Sequence, residues 1–397
     1  MFIFKHKNAS NSISNNLIYK CFLTMKILKF LILLFIMSIL FELENKQIYY
    51  KKLFNFISSK YHFFKNKYIN KFHKYYNYNI STIEKEKFFF MRNNSELKSC
   101  KNFGILIYNY PFFDPKIEFG NIGDYIQSLA ALQYLPKNCI PLFVDRDNVE
   151  FYNNSKFNII IIMNGWNRIE KGNRKTSNKI NPIYISYHIN NINFSDSITI
   201  NNLKKYEPIG CRDIYTQQIL EKSGINAYFS SCLTTTLDID FAVNHSERTN
   251  EIIFIDYKFG RFPQADKYIK SLKQYNFSNI IYKRHIFKLN YSHLQRFRLA
   301  KQLLEQYARA KLVISTRIHG ALPCLALNTS IIFVNMEYDR RYPGLYELLN
   351  TIGINSKGKF EINVQLDKNN LVINPKKYLK YANRLKETLQ NLNYNNI

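Results

Sequence analysis

Hydrophobic and polar positions fall into two regimes. Near the N-terminus, Phe30 to Phe41 is an unbroken run of apolar or small residues, and a weaker hydrophobic stretch extends it to about Ile27 and Leu43. From Phe103 onward, short apolar runs alternate with amphipathic stretches of helical period. The runs Gly104 to Tyr110, Pro141 to Val144, Asn158 to Met163, Ile183 to His188 and Tyr228 to Cys232 predict strands. Between them, Asp124 to Leu135 carries apolar residues at Tyr125, Leu129, Leu132 and Leu135, and predicts a helix. Ile214 to Lys222, ending at Gly224, predicts another. A second series follows. It has a strand Glu251 to Tyr257, a helix from about Gln264, a strand Asn279 to Tyr282 and a long helix from about Ser292 to Ala310. A strand Lys311 to Ile314 leads through a turn into the short apolar helix that begins at Ala321. A strand Ser330 to Asn335, a helix near Leu345 to Leu349 and a polar C-terminal helix from about Pro375 to Leu392 complete the series.

Strands alternating with helices imply parallel sheets joined by right-handed crossovers, an α/β fold. Leu233 to Asn250 reads as the link between two such units, and two units facing each other form a cleft suited to a small-molecule site. The expected organisation is residues 1–45 as a region with a hydrophobic anchor and 46–101 as a basic, aromatic stalk or linker. Residues 102–240 form a first domain, and 241–397 a second domain with a C-terminal helix. Phe30 to Phe41 is slightly short of the ~20 residues that span a bilayer. No small-residue cleavage site follows it, because Glu42-Leu43-Glu44-Asn45 comes next, so an uncleaved single-pass membrane anchor is expected. Lysines flank it on both sides (Lys20, Lys26 and Lys29 before; Lys51, Lys52, Lys60 and Lys65 after), so charge does not select an orientation.

The chain has 397 residues, 46% of them hydrophobic, which is globular and not disordered composition. A net charge of +27 invites a nucleic-acid reading. The lysines are scattered, however, and make no single stripe. They accompany an excess of Asn, Ile, Tyr and Phe that resembles the codon bias of an A+T-rich genome, so no nucleic-acid partner is expected. The six cysteines (Cys21, Cys100, Cys139, Cys211, Cys232 and Cys324) include no CxxC pair. No zinc site and no disulfide framework are expected; several read as buried thiols.

Chemistry concentrates at turns that follow strands, where ligands bind in open α/β sheets. Ser315-Thr316-Arg317-Ile318-His319-Gly320 is the strongest. Arginine brings a planar fork for carboxylate or phosphate, and histidine a proton near neutral pH, which together point to acid catalysis on an anionic substrate. Gly120-Asn121-Ile122-Gly123-Asp124 opens a helix with glycines that permit close approach and an aspartate able to cap the helix or bind a hydroxyl. It lacks the dinucleotide fingerprint, so NAD is disfavoured. Trp166, the only tryptophan, follows a strand of isoleucines and offers a face for a sugar. His188 ends another strand, and Gly210-Cys211-Arg212-Asp213 places a possible anion clamp beside a helix cap. Lys283, Arg284 and His285 add positive potential at a further strand end or are simply solvated.

Asn121-Ile122-Gly123-Asp124-Tyr125 with Gln127-Ser128-Leu129-Ala130, Pro208-Ile209-Gly210-Cys211-Arg212-Asp213, Ser231-Cys232-Leu233-Thr234 and Ser315-Thr316-Arg317-Ile318-His319-Gly320-Ala321 occur in this order. In these motifs and their spacing, the chain from about Asn102 to Asn350 resembles the polysaccharide pyruvyl transferase family. The resemblance implies two Rossmann-like domains facing across a cleft, as in glycosyltransferases of the B type. It also implies transfer of a pyruvyl group from phosphoenolpyruvate to sugar hydroxyls of a polysaccharide or glycan, often as a cyclic ketal. Under it, His319 is the general acid, and Arg317 and Arg212 hold the anionic groups. Asn121, Gly123, Asp124, Trp166, His188 and Ser315 are expected to bind the substrates. No cofactor or metal is required beyond phosphoenolpyruvate as donor. Asn164-Gly165-Trp166-Asn167 departs from the glycine cluster many members carry after the central strand. Two other readings remain open: a nucleotide-sugar glycosyltransferase, with Glu337 or Asp339 at the ribose, and a noncatalytic glycan-binding protein. The second has no need of the proton donor that His319 supplies.

Overall fold

A computed structural model of the chain describes residues 98–110, 118–153, 157–167, 175–189, 197–237, 247–355 and 357–391. The expected anchor and nearly all of the expected stalk lie outside these residues. No helix among the described residues is long and apolar enough to cross a membrane.

The first half contains strands β1 (Lys98–Ile107), β2 (Phe119–Asn121), β3 (Cys139–Asp145), β4 (Ile159–Ile162), β5 (Trp166–Asn167), β6 (Ile180–Ile183), β7 (His188–Ile189), β8 (Ile209–Cys211) and β9 (Ala227–Phe229). Its helices are α1 (Ile122–Leu132), α2 (Ser197–Lys204) and α3 (Ile214–Lys222). Strands pair in the order β3-β1-β4-β6, all parallel. The run expected as one strand from Ile183 to His188 is instead broken. Ser186 adopts a positive φ of 54°, so β6 stays in the main sheet while β7 pairs with β5. Asp124 is not the cap of α1. Asn121 is, its side chain accepting from the Gly123 amide at 3.1 Å, while Asp124 sits in the first turn. Cys100 and Cys139 are disulfide-bonded, where the sequence implies no disulfide framework, while Cys211, Cys232 and Cys324 are buried thiols. The bonded pair comes together because β1 and β3 pair side by side, with the two Cα atoms 5.3 Å apart.

The second half contains β10 (Ile252–Ile255), β11 (Ile280–Lys283), β12 (Ile286–Lys288), β13 (Leu312–Ser315), β14 (Ile331–Asn335), β15 (Thr351–Ile354) and β16 (Phe360–Asn363). Its helices are α4 (Pro263–Ser271), α5 (His293–Arg309), α6 (Ile318–Ala326) and α7 (Tyr378–Gln390). The sheet order is β11-β10-β13-β14-β15-β16, parallel except for β16. Both faces of its central strands are apolar because both are covered. Ile253, Ile255 and Val313 face one cluster of buried residues, while Ile252, Phe254, Leu312 and Ile314 face another beneath α4. The first cluster runs on without interruption into Ile105, Ile126 and Leu129 of the first half.

The halves are joined at several places, two of which bear on the site. Tyr125 of α1 packs edge-on against Phe297 of α5 and bonds His293 at 2.6 Å. β2 and β12 form a short antiparallel ladder in which Asn121 pairs with Ile286 and Gly120 with Phe287. This ladder went unpredicted because each strand is only three residues long. It sets the start of α1 against the β11–β12 turn, and the Ile122 amide donates to the His285 carbonyl at 3.2 Å.

Candidate active site

The turn that carries Arg317 and His319 is built by short-range bonds. β13 ends at Ser315, whose hydroxyl accepts from the Arg317 amide and donates to the Arg317 carbonyl, both at 2.9 Å. This closes the loop and makes Arg317 the N-cap residue of α6. Ser315 is fully buried, and a Cβ at Gly320 would lie 2.5 Å from its hydroxyl. Its hydroxyl is thereby engaged in shaping the turn.

His319 occupies the first turn of α6, 6% exposed. Its ring lies over Gly123, where a Cβ would stand 2.9 Å from His319 Nδ1 and 2.9 Å from His285 Cε1. Gly123 is therefore the gap that lets two imidazoles meet the start of α1. On the other side, the Cys232 thiol lies 3.7 Å from His319 Nε2, and burial pushes that thiol's pKa up, so it stays protonated. Burial first, and then the charges of Arg212 and Arg341, hold His319 well below the ordinary histidine range. It is neutral near pH 7.

Arg212 follows β8 and is 4% exposed, not a surface group. Its Nε is 3.7 Å from Asp213 and has no hydrogen-bond partner. Asp213 caps α3, accepting from the Thr216 amide at 2.9 Å, and also meets His188 Nδ1 at 2.6 Å. His188 is fully buried, and its Nε2 has no partner. Burial and Arg212 lower its pKa more than Asp213 raises it. It is therefore a neutral imidazole whose Nδ1 proton is held by a carboxylate, leaving Nε2 as an acceptor. Trp166 stacks edge-on to His188 at 6.1 Å and lies beneath Arg341 at 5.7 Å.

Arg317 points to an open cleft of ≈ 490 Å³, lined also by Asp256, Arg261, Arg284, Thr316 and Tyr342. Its Nε donates to Asp256 at 2.6 Å. Asn121 Oδ1 meets His285 Nδ1 at 3.2 Å. Asp124 is buried, accepts from Tyr110 at 2.5 Å and lies 3.9 Å from Arg146. It braces the base of α1 and does not line the cleft.

The expected residues Arg212, His319, Gly123, Asn121, His188 and Trp166 thus form one linked cluster, with Arg317 at its rim. The sequence reading missed Asp256, Arg341 and Asp213's hold on His188, and misjudged His285. That histidine adds no positive charge, because burial, helped by Arg317, lowers its pKa to about 3. The signal available for Cys232 was its place in the Ser231-Cys232-Leu233-Thr234 motif. Backbone strain adds a mark no sequence pattern carries. Tyr110, Ser186, Ser231 and Asp256, each just beyond a strand end around the cluster, have φ between 49° and 67°. Such strain concentrates at functional sites. Among the described residues, no group of three or more histidine, cysteine or acidic side chains is placed to hold a metal ion.

No curated protein matches the chain. Among solved structures, a protein of uncharacterised function from Klebsiella pneumoniae subsp. pneumoniae NTUH-K2044 is 13% identical, with a TM-score of 0.39, over 70% of this chain and 99% of its own. That likeness carries no argument. The family model described as polysaccharide pyruvyl transferase matches residues 121–338, from the cap of α1 to the loop beyond β14. That span holds the Asn121–Gly123 turn, Arg212, Cys232 and the Arg317–His319 turn, and it covers more than half of the chain. The chain belongs to the polysaccharide pyruvyl transferase family.

Proposed function

We propose that the protein transfers pyruvyl from phosphoenolpyruvate to two hydroxyls of a glycan, with His319 as general acid and Arg212 and Arg317 as the anion clamp. One observation carries this reading: a buried guanidinium whose Nε makes no hydrogen bond, only a 3.7 Å ion pair with Asp213, lies in the electrostatic reach of a neutral imidazole at the strand-to-helix turn. A buried donor left unsatisfied costs about 1–3 kcal/mol, a cost that an arriving carboxylate or phosphate removes. The layout proposed with it is two Rossmann-like halves, as in B-type glycosyltransferases, supported by the two parallel sheets with α1, α5 and α6 among their helices.

The donor's negative charge offsets Arg212 and Arg341, and so favours a proton on His319. His319 delivers that proton to the methylene carbon, which becomes the methyl group. C2 becomes electrophilic and a sugar hydroxyl adds to it. The arginines stabilise the charge on the phosphate. A second hydroxyl displaces the phosphate, closing the ketal. Of the two hydroxyl protons, one balances the new methyl group and the other leaves with inorganic phosphate. His188, held in one tautomer by Asp213, accepts a proton from the attacking hydroxyl at Nε2, as in other carboxylate–histidine pairs. Trp166, beside it, gives the sugar a stacking face. The nucleotide-sugar reading loses one of its supports, because Asp339 is engaged by Arg341.

The test is thermal stabilisation by phosphoenolpyruvate against a panel of nucleotide sugars. A shift with phosphoenolpyruvate that Arg212→Ala abolishes supports the reading, and a shift with a nucleotide sugar alone overturns it. Two further outcomes follow from the geometry. Arg317→Lys keeps the charge but loses the fork shared between Asp256 and the ligand, so KM for the donor should rise about tenfold; an unchanged KM removes Arg317 from the clamp. Gly123→Ala inserts a methyl 2.9 Å from both imidazoles. Displacing His319 by a fraction of an ångström to 1 Å should lower turnover by about 10- to 100-fold. The melting temperature should move little, because alanine favours the helix by about 1 kcal/mol. Full activity in this variant shows that the close approach is not needed.

A further inference from the structure

The open cleft carries more cationic capacity than the donor clamp uses. Arg261 and Arg284 are exposed and, among the described residues, make no ion pair, yet each is held in place by its own device. Arg261 rides on the loop after β10, which Asp266 of α4 braces by accepting from the Gly260 amide at 2.7 Å and from the Tyr257 hydroxyl. Arg284 sits in the β11–β12 turn with its guanidinium 5.8 Å from the Phe119 ring. Arg317 is braced by Asp256, which takes its Nε and leaves the two terminal nitrogens of the fork. Three guanidinium groups from three loops therefore line one cleft, against a single carboxylate that Arg317 already occupies. Thr316 and Tyr342 add hydroxyls, and burial pushes Tyr342's pKa up, so it remains a neutral donor. A volume of ≈ 490 Å³ exceeds the need of one small anion and falls in the range of ligand pockets. Its open side suits a ligand larger than phosphoenolpyruvate, as a glycan acceptor is.

We propose that Arg261, Arg284 and the outer face of Arg317 form a phosphoryl subsite for the acceptor, which presents its sugar as a phosphate or diphosphate ester. Guanidinium forks match phosphate geometry with paired hydrogen bonds, and three of them suit a diphosphate. The inference rests on the proposed pyruvyl transfer for the identity of the second ligand. A nucleotide-linked and a lipid-linked sugar share this chemistry.

The experiment is calorimetric titration of the full chain with inorganic pyrophosphate, with and without saturating phosphoenolpyruvate, in the wild type and in Arg261→Ala/Arg284→Ala. Both side chains are exposed, so this variant should fold. Pyrophosphate is expected to bind with the donor present. The double variant should weaken it about tenfold or more while changing donor affinity less than about threefold, as loss of charged hydrogen bonds at one site predicts. Uridine diphosphate and geranyl diphosphate then separate the sources: tighter binding of one than of pyrophosphate assigns the carrier, and equal binding shows a subsite that reads the diphosphate alone. Mutual exclusion of pyrophosphate and phosphoenolpyruvate overturns the inference, since the cleft is then the donor's own seat. Wild-type pyrophosphate affinity in the double variant, or no binding at all, also overturns it. If phosphoenolpyruvate fails to bind while pyrophosphate binding still depends on the two arginines, the donor reading falls and the phosphoryl subsite stands.

Discussion

Replacing His319 with alanine is expected to abolish measurable pyruvyl transfer, a loss of about 10²- to 10⁴-fold for removal of a general acid. Affinity for phosphoenolpyruvate should fall far less, because Arg212 and Arg317 remain. The neutral state of His319 near pH 7 adds a sharper test. Burial and Arg212 lower its pKa, and the charge of a bound anion would oppose the effect of Arg212. Donor binding should therefore take up a proton near pH 7, and donor affinity should weaken as pH rises. Titrations in buffers of different ionisation enthalpy measure this uptake directly. It should be present in the wild type and diminished in His319→Ala. Zero uptake in the wild type means that the proton reaching the methylene carbon comes from elsewhere. The protonated Cys232 thiol, 3.7 Å from His319 Nε2, is then the next group to replace.

Acidification from pH 7.5 to 5.5 should destabilise the fold by about 3 kcal/mol or more. His285 and His293 have pKa values pushed down to about 3 by burial, with help from Arg317 and Arg296 respectively. His188 and His319 are lowered as well. A histidine lowered in the folded state binds its proton in the unfolded state first. Its contribution is fully present above the unfolded value near 6.5 and is lost as pH falls through it. At pH 5.5 each strongly lowered histidine costs about 1.4 kcal/mol. Asp145 acts in the opposite sense, since burial raises its pKa, but it is one group against four. Thermal melts across this range should show the loss as a fall of several degrees. A constant melting temperature means that the folded state accommodates charged imidazoles. Phosphoenolpyruvate should narrow the difference, because its charge favours protonated His319.

The alternation of apolar runs made the α/β class and most elements legible. α3 coincides with the expected Ile214 to Lys222, and α5 runs one residue inside the expected ends at Ser292 and Ala310. The motif turns were legible for the same reason: strand, turn and helix are neighbours in sequence. Elements without a full period were not. β2, β5, β7 and β12 have two or three residues each, too few to show alternation, and they exist because a partner strand is present.

At the site, sequence alone determined which groups were on offer: the arginine–histidine turn, the glycine at position 123, the Cys-Arg-Asp turn and the lone tryptophan. Tertiary structure decided what each became. Arg317 is aimed by Asp256, 61 residues away, and His285 meets Asn121, 164 residues away. Arg284 and His285 are adjacent in the chain, yet one is an exposed cation and the other a buried neutral ring. Residue type sets the chemistry a side chain can perform. Its charge state and orientation depend on desolvation and through-space distance, which only the folded chain defines.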